Sequence, residues 1–202
     1  MKPELDQLTE AVGLSNISDQ VVLSRFGDAN ILSYLHVRLA FLYHLLAPGV
    51  SLLQEVEKFP WKLVALQLNS MLSTMTDHID LRDTGFPLTG GQRPLPEDFA
   101  MRGLLWTDRY FPDDYFQNEW IDDDEQHLEI ASMAEQRRER CLYLGIRIAE
   151  RGSGLCYDHQ SRQFYTATED DVTVAPISPS TGDYGDQHHC MQPLPRQPIL
   201  VS

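Results

Sequence analysis

Residues 30–47 read NILSYLHVRLAFLYHLLA, and the spacing within them decides the fold. Ile31, Leu35, Leu39, Leu42, Leu45 and Leu46 recur every three or four positions, the repeat that gathers side chains on one face of a helix. Leu32, Tyr34, Phe41 and Tyr43 widen that face, so the helix is expected to be buried on more than one side. Asp28 or Asn30 suits its N-cap, because a short side-chain oxygen accepts from a free first-turn N–H. Pro48-Gly49 stops it. A second helix starts near Val50 and bends or breaks at Phe59-Pro60-Trp61, since proline fits only a kink or a first turn. The stripe then resumes at Trp61, Val64, Leu68, Met71, Leu72 and Met75. Two apolar helices on a short connection imply an antiparallel pair.

Upstream, residues 1–24 show no sustained period, and short helices are expected over residues 5–12 and 19–24. Downstream lies an irregular stretch, residues 86–111, FPLTGGQRPLPEDFAMRGLLWTDRYF. Pro87, Pro94, Pro96 and Gly90-Gly91 argue against a long regular element. Leu88, Leu95, Phe99, Met101, Leu104, Leu105 and Trp106 nevertheless carry more apolar surface than a solvated loop needs, so the stretch should be pinned against a helical body. A long helix over residues 122–151 follows. Residues 108–135 hold ten acids and one Arg, and residues 137–151 hold five Arg and two Glu. Acids first and bases last suit the helix macrodipole. Its expected core face is Leu128, Ala131, Ala134, Cys141, Leu144, Gly145 and Ile148, and Gly152 and Gly154 end it. Residues 155–157 and 163–165 alternate across DHQSR as a small β-hairpin. From residue 169 the chain is rich in Pro, Ser, Asp and Gln without a period, and disorder is expected.

Of the 202 residues, 42% are apolar, enough for a real core. No run of 18 apolar residues suggests a membrane span, and the N-terminus lacks the apolar core of a secretory signal. Cys141, Cys156 and Cys190 are odd in number and form no CxxC, so they read as reduced thiols in a nuclear or cytoplasmic protein. The 30 acids against 16 bases give a net charge of −14. Nucleic-acid affinity rests on Lys and Arg displacing phosphate counterions, so any such role needs a local basic face.

The candidate chemistry is sparse. Asp122-Asp123-Asp124-Glu125, with Asp113-Asp114 upstream, reads as a helix start and a solvated face, because consecutive helical side chains diverge and do not converge on one ion. Asp77, His78, Asp80 and Asp83 have no second ligand cluster at a metal spacing. Glu97-Asp98 after Pro96 reads as helix initiation. His188-His189-Cys190 and Ser178-Pro179 fall in the expected tail. Gly90-Gly91 is a turn without a phosphate-binding sequence after it, and no catalytic motif is present. No enzyme, catalytic residue, metal or cofactor is expected. The one nucleic-acid candidate is a basic helix face: Arg137, Arg140 and Arg147 at spacings of three and seven, with Arg138 and Arg151 on adjacent rows. The competing reading pairs these arginines with acids around residues 113–124, or leaves them solvating the helix. Arg102 is read as tying down backbone carbonyls or a carboxylate.

In order, SYLHVRLAFLYHL, KFPWKLVALQLNSML, FPLTGGQRPLPEDFAMRGLLW, ERCLYLGIRIAE and YDHQSRQFY resemble the EST-type (ever-shorter-telomeres) DNA/RNA-binding domain. This is the helical domain of telomerase-associated and nonsense-mediated mRNA decay factors, and the wording is closest to fungal members. The resemblance covers residues 25–168, with LPEDFAMRG and the PWK-to-LN run its most specific parts. It implies an all-α fold of antiparallel helical hairpins, of the TPR-like α-α superhelix type, with a long irregular Pro-rich segment and a small terminal β-hairpin. The expected division is an N-terminal helical remnant (1–24), the EST-type domain (25–168) and a disordered tail (169–202). Neither the 14-3-3-like tetratricopeptide domain nor the PIN nuclease domain of relatives has a counterpart in the sequence. The implied function is a non-catalytic adaptor or scaffold in telomere maintenance or mRNA decay, partnered by proteins of those machineries and by RNA or single-stranded DNA. The alternative is a truncated paralogue that scaffolds proteins without binding nucleic acid.

Overall fold

A computed structural model describes residues 2–48, 56–75, 85–88, 94–117 and 129–166. Five α-helices and one two-stranded antiparallel sheet make up the regular structure among them. The expected tail, the acidic run at 122–125, and the residues at 77–83, 90–91, 178–179 and 188–190 lie outside the described residues.

Helix α1, Lys2–Leu23, is one continuous element where two short helices were expected. Its interior glycine, Gly13, costs only about 1 kcal/mol relative to alanine. The helix is tied to its neighbour instead: the buried Asp19 carboxylate accepts from Arg38 and from the Tyr34 hydroxyl, and Asn16 accepts from Arg38. Asp28 then accepts from the Asn30 N–H at 2.9 Å, turning the chain into α2, while Asn30 makes no side-chain cap.

Helix α2, Ile31–Leu45, runs through the core with Leu35 and Leu39 fully buried. After Val56-Glu57 the chain breaks at Pro60, and α3 starts afresh as Trp61–Thr74. The Trp61 indole N–H donates to the Val56 carbonyl at 2.9 Å, holding the break closed. Helix α5, Ser132–Glu150, packs along α2 and against α3. It begins ten residues later than expected, because Glu129 and Ile130 are not helical and Ala131 is exposed at its N-cap. Cys141, Leu144, Gly145 and Ile148 are buried as expected, and Met133, Leu142 and Ile146 extend that face.

The irregular stretch is pinned to this body. Pro96 opens α4, Pro96–Met101, and the Asp98 carboxylate reaches back to the Leu95 N–H at 2.9 Å. Gly103, at φ +77°, turns the chain where an L side chain would be strained. A 3₁₀ turn, Leu105–Thr107, follows and lies on α2, with Trp106 edge-on to Phe41 at 5.5 Å.

Strands β1, Leu155–Asp158, and β2, Gln163–Thr166, form the expected hairpin, with Cys156 opposite Tyr165 and Tyr157 opposite Phe164. Asn69 of α3 fastens it, donating to the Phe164 carbonyl and accepting from the Phe164 N–H, both at 2.8 Å. Cys141 is a free, buried thiol. No helix among the described residues is long and apolar enough to cross a membrane.

Candidate functional site

Among the described residues, the dense gathering of ionisable side chains is internal, where α2, α4 and α5 meet under the irregular stretch. Helix α2 supplies His36, fully buried on the stripe that carries Leu35 and Leu39. The single turn of α4 supplies Glu97 and Asp98, which proline at the first position fixes in direction. Helix α5 supplies Arg137, Arg140 and Cys141, and the loop beyond α4 adds Tyr110 and Tyr115.

Two linked assemblies result. Arg137 grips Glu97 with two parallel bonds, Nε to Oε1 at 2.7 Å and Nη2 to Oε2 at 2.8 Å, and also bonds Glu129. His36 Nδ1 lies 3.1 Å from the same Glu97 Oε1, and His36 Nε2 lies 2.5 Å from the Tyr110 hydroxyl. The arrangement that satisfies these bonds has Tyr110 donating to Nε2 and Nδ1–H donating to Glu97. In the second assembly the Tyr115 hydroxyl donates to Asp98 Oδ2 at 2.6 Å and accepts from Arg140 Nη2 at 3.0 Å. The Arg140 guanidinium is covered by the Phe86 ring, 3.6 Å from its centroid. Asp98 Oδ1 and Arg140 Nη1 make no hydrogen bond among the described residues. Asp98 Oδ1 lies 3.9 Å from His36 Nε2, beyond hydrogen-bond reach.

Electrostatics follow from burial. Burial alone raises the Glu97 carboxyl pKa, but hydrogen bonds from His36 and Arg137 outweigh it and hold it down at about 2. Burial pushes the Tyr110 and Tyr115 hydroxyls up, so both stay protonated and serve as donors. The Cys141 thiol is pushed up by burial as well, the opposite of what a nucleophilic cysteine needs. Two carboxylates and two guanidiniums thus neutralise one another inside the fold, as buried charges must. Chemically, the arrangement locks three helices and a loop together.

The arginines read as one basic face are separated by this packing. Arg137 and Arg140 are only 4% and 5% exposed and point inward. Arg147 is half-buried, pairs with Glu150 at 2.9 Å and lies against the Tyr143 ring. Arg138 pairs with Glu135 at 2.7 Å. Arg151 stacks on the Tyr43 ring, 3.5 Å from its centroid, and donates to the Tyr43 carbonyl. Arg102 lies over the Phe116 ring at 5.1 Å. Asp113 and Asp114 are exposed, and the acids that Arg137 meets are Glu97 and Glu129. Glu97 and Asp98, read as helix initiators, do sit in a first turn, yet both are buried and central to the cluster. His36, Tyr110 and Tyr115 are too far apart in the sequence for spacing to mark them as a set. The available signal was His36 itself, a polar ring on the most apolar face of the chain, which demands buried partners. Among the described residues no group of three or more His, Cys, Asp or Glu is placed to hold a metal ion.

Comparison with family models, with curated proteins and with solved structures gave no match.

Proposed function

We propose that the chain is a non-catalytic scaffold that contacts other proteins and does not bind nucleic acid through its basic helix. The observation that carries this reading is the burial of Arg137 and Arg140, whose guanidinium groups are spent on Glu97, Glu129 and Tyr115. A phosphate needs an accessible cation, and the acidic whole chain repels it elsewhere. Leu105, on the stretch that this cluster anchors, is 88% exposed, an apolar point suited to a protein contact. The helical-hairpin superhelix arrangement, the nuclear or cytoplasmic location, and partners from mRNA decay or telomerase machinery belong to the same proposal and follow from the EST-type resemblance.

The test is binding to single-stranded RNA and to G-rich DNA as a function of salt, for the natural chain and for Arg147→Glu. The expected result is no salt-dependent binding in the micromolar range for either protein. Binding that weakens steeply with salt, and further with Arg147→Glu, would overturn the reading and restore a nucleic-acid role for the outer row of α5.

A further inference from the structure

Helix α1 shows an apolar seam to solvent. Leu14, Ile17 and Val21 are 61%, 62% and 60% exposed. Their spacing of three and four is the seam of a helix pair that winds on another helix. The opposite face is already occupied, by the bonds of Asn16 and Asp19 to Arg38 and by Leu23, whose carbonyl accepts from Gln67 at 2.9 Å. The seam is also free of charge. Between Ala11 and Ser24 the only ionisable side chain is Asp19, which is buried and held by Arg38 at 2.7 Å.

We infer that α1 pairs antiparallel with α1 of a second copy of this chain, with the two-fold axis beside Ile17. A two-fold contact must be self-complementary, and this one is. In the register that sets Leu14 against Val21 of the partner subunit, Ile17 lies next to its own counterpart at the axis. The same register brings Glu10 toward Arg25 of the partner subunit, which lies in the turn just past the end of α1 at Leu23, within reach of a long side chain. Glu10 and Arg25 are both exposed, and neither makes an ion pair among the described residues. A parallel pair would instead set Glu10 against Glu10 and Arg25 against Arg25, so charge selects the antiparallel form. The neutrality of the seam matters because two copies each carrying −14 repel one another over acidic surface. A single helix seam is smaller than the roughly 1,200 Å² of a tight interface, so the pair is a weak, concentration-dependent one. This pairing goes beyond the scaffold reading and does not depend on it.

Sedimentation equilibrium of the full chain from about 5 to 500 μM spans the affinities of such small interfaces. A monomer–dimer equilibrium within that range is expected. Ile17→Glu and Ile17→Lys, each alone, should be monomeric with unchanged circular dichroism, and their equimolar mixture should recover the dimer as opposite charges meet at the axis. Glu10→Arg should weaken pairing about tenfold, and adding Arg25→Glu should restore it. A natural chain that stays monomeric throughout overturns the pairing and leaves the seam to a different partner. A dimer that survives Ile17→Glu, or a mixture that stays monomeric, overturns it equally.

Discussion

Glu97 takes both nitrogens of one face of Arg137 and one nitrogen of His36 while almost wholly enclosed. Its carboxyl, held at about 2 against an ordinary value of 4.5, makes stability depend on pH in a definite direction. A depressed folded pKa means that the stabilising contribution is complete above the unfolded value and is lost as pH falls toward the folded one. Unfolding by urea should therefore show stability dropping between pH 4.5 and pH 2, with Glu97→Gln flattening that slope and costing about 2 kcal/mol at pH 7. An unchanged slope in the variant would show that other carboxylates carry the acid sensitivity. The arginines separate at this scale too. Arg137→Ala strips a buried carboxylate of its partner and should cost about 3–5 kcal/mol. Arg147→Ala, at a surface pair with Glu150, should stay within about 0.5 kcal/mol. Spacing of three and seven put both residues in one row, and only the neighbouring elements decide which of them faces inward. That information is absent from α5 by itself.

At the scale of elements, the hairpin shows what pattern conveys and what it omits. Alternation at residues 155–157 and 163–165 was enough to place the strands, because period two is a local property. The fastening was not legible, since Asn69 and Phe164 are 95 residues apart and meet only through the fold. Asn69→Ala leaves the Phe164 N–H and C=O without partners and should cost about 2 kcal/mol. Amide hydrogen exchange should speed up at Phe164 ahead of the core of α2 if the hairpin detaches as a unit. Two glycines set how closely the elements approach. A Cβ on Gly154 would lie 2.3 Å from the Trp61 ring, and one on Gly145 would lie 2.6 Å from the end of Leu68. The indole is rigid and buried, whereas Leu68 has a flexible tip. Gly154→Ala should therefore cost about 3 kcal/mol, and Gly145→Ala about 1 after its gain in helix propensity. Equal losses in melting temperature for the two variants would contradict this ranking. The late start of α5 has the same non-local origin as the Asn69 clasp. Glu129 is drawn onto Arg137 instead of joining the helix.

For the whole molecule, helical character was legible from the stripes of α2 and α3, while the single continuous α1 was not. Its contacts to Arg38 and Tyr34 override a weak local period. Charge acts at this scale in two opposed ways. Thirty acids against 16 bases make the folded chain repel itself. The pairs that hold the helices together, Glu97–Arg137 and Asp19–Arg38, are buried, and salt screens buried pairs far less than exposed charges. Surface pairs such as Arg138–Glu135 and Arg147–Glu150 contribute at most about 1 kcal/mol each and would weaken with salt. Repulsion summed over an excess of 14 negative charges should outweigh those few pairs. Raising salt from near zero to about 0.15 M, where the Debye length shortens to about 8 Å, should therefore raise the urea midpoint at pH 7. A midpoint that falls with salt would mean that exposed ion pairs stabilise the fold more than net charge strains it. Repeating the titration with Arg138→Ala and Arg147→Ala would then identify which pair is responsible.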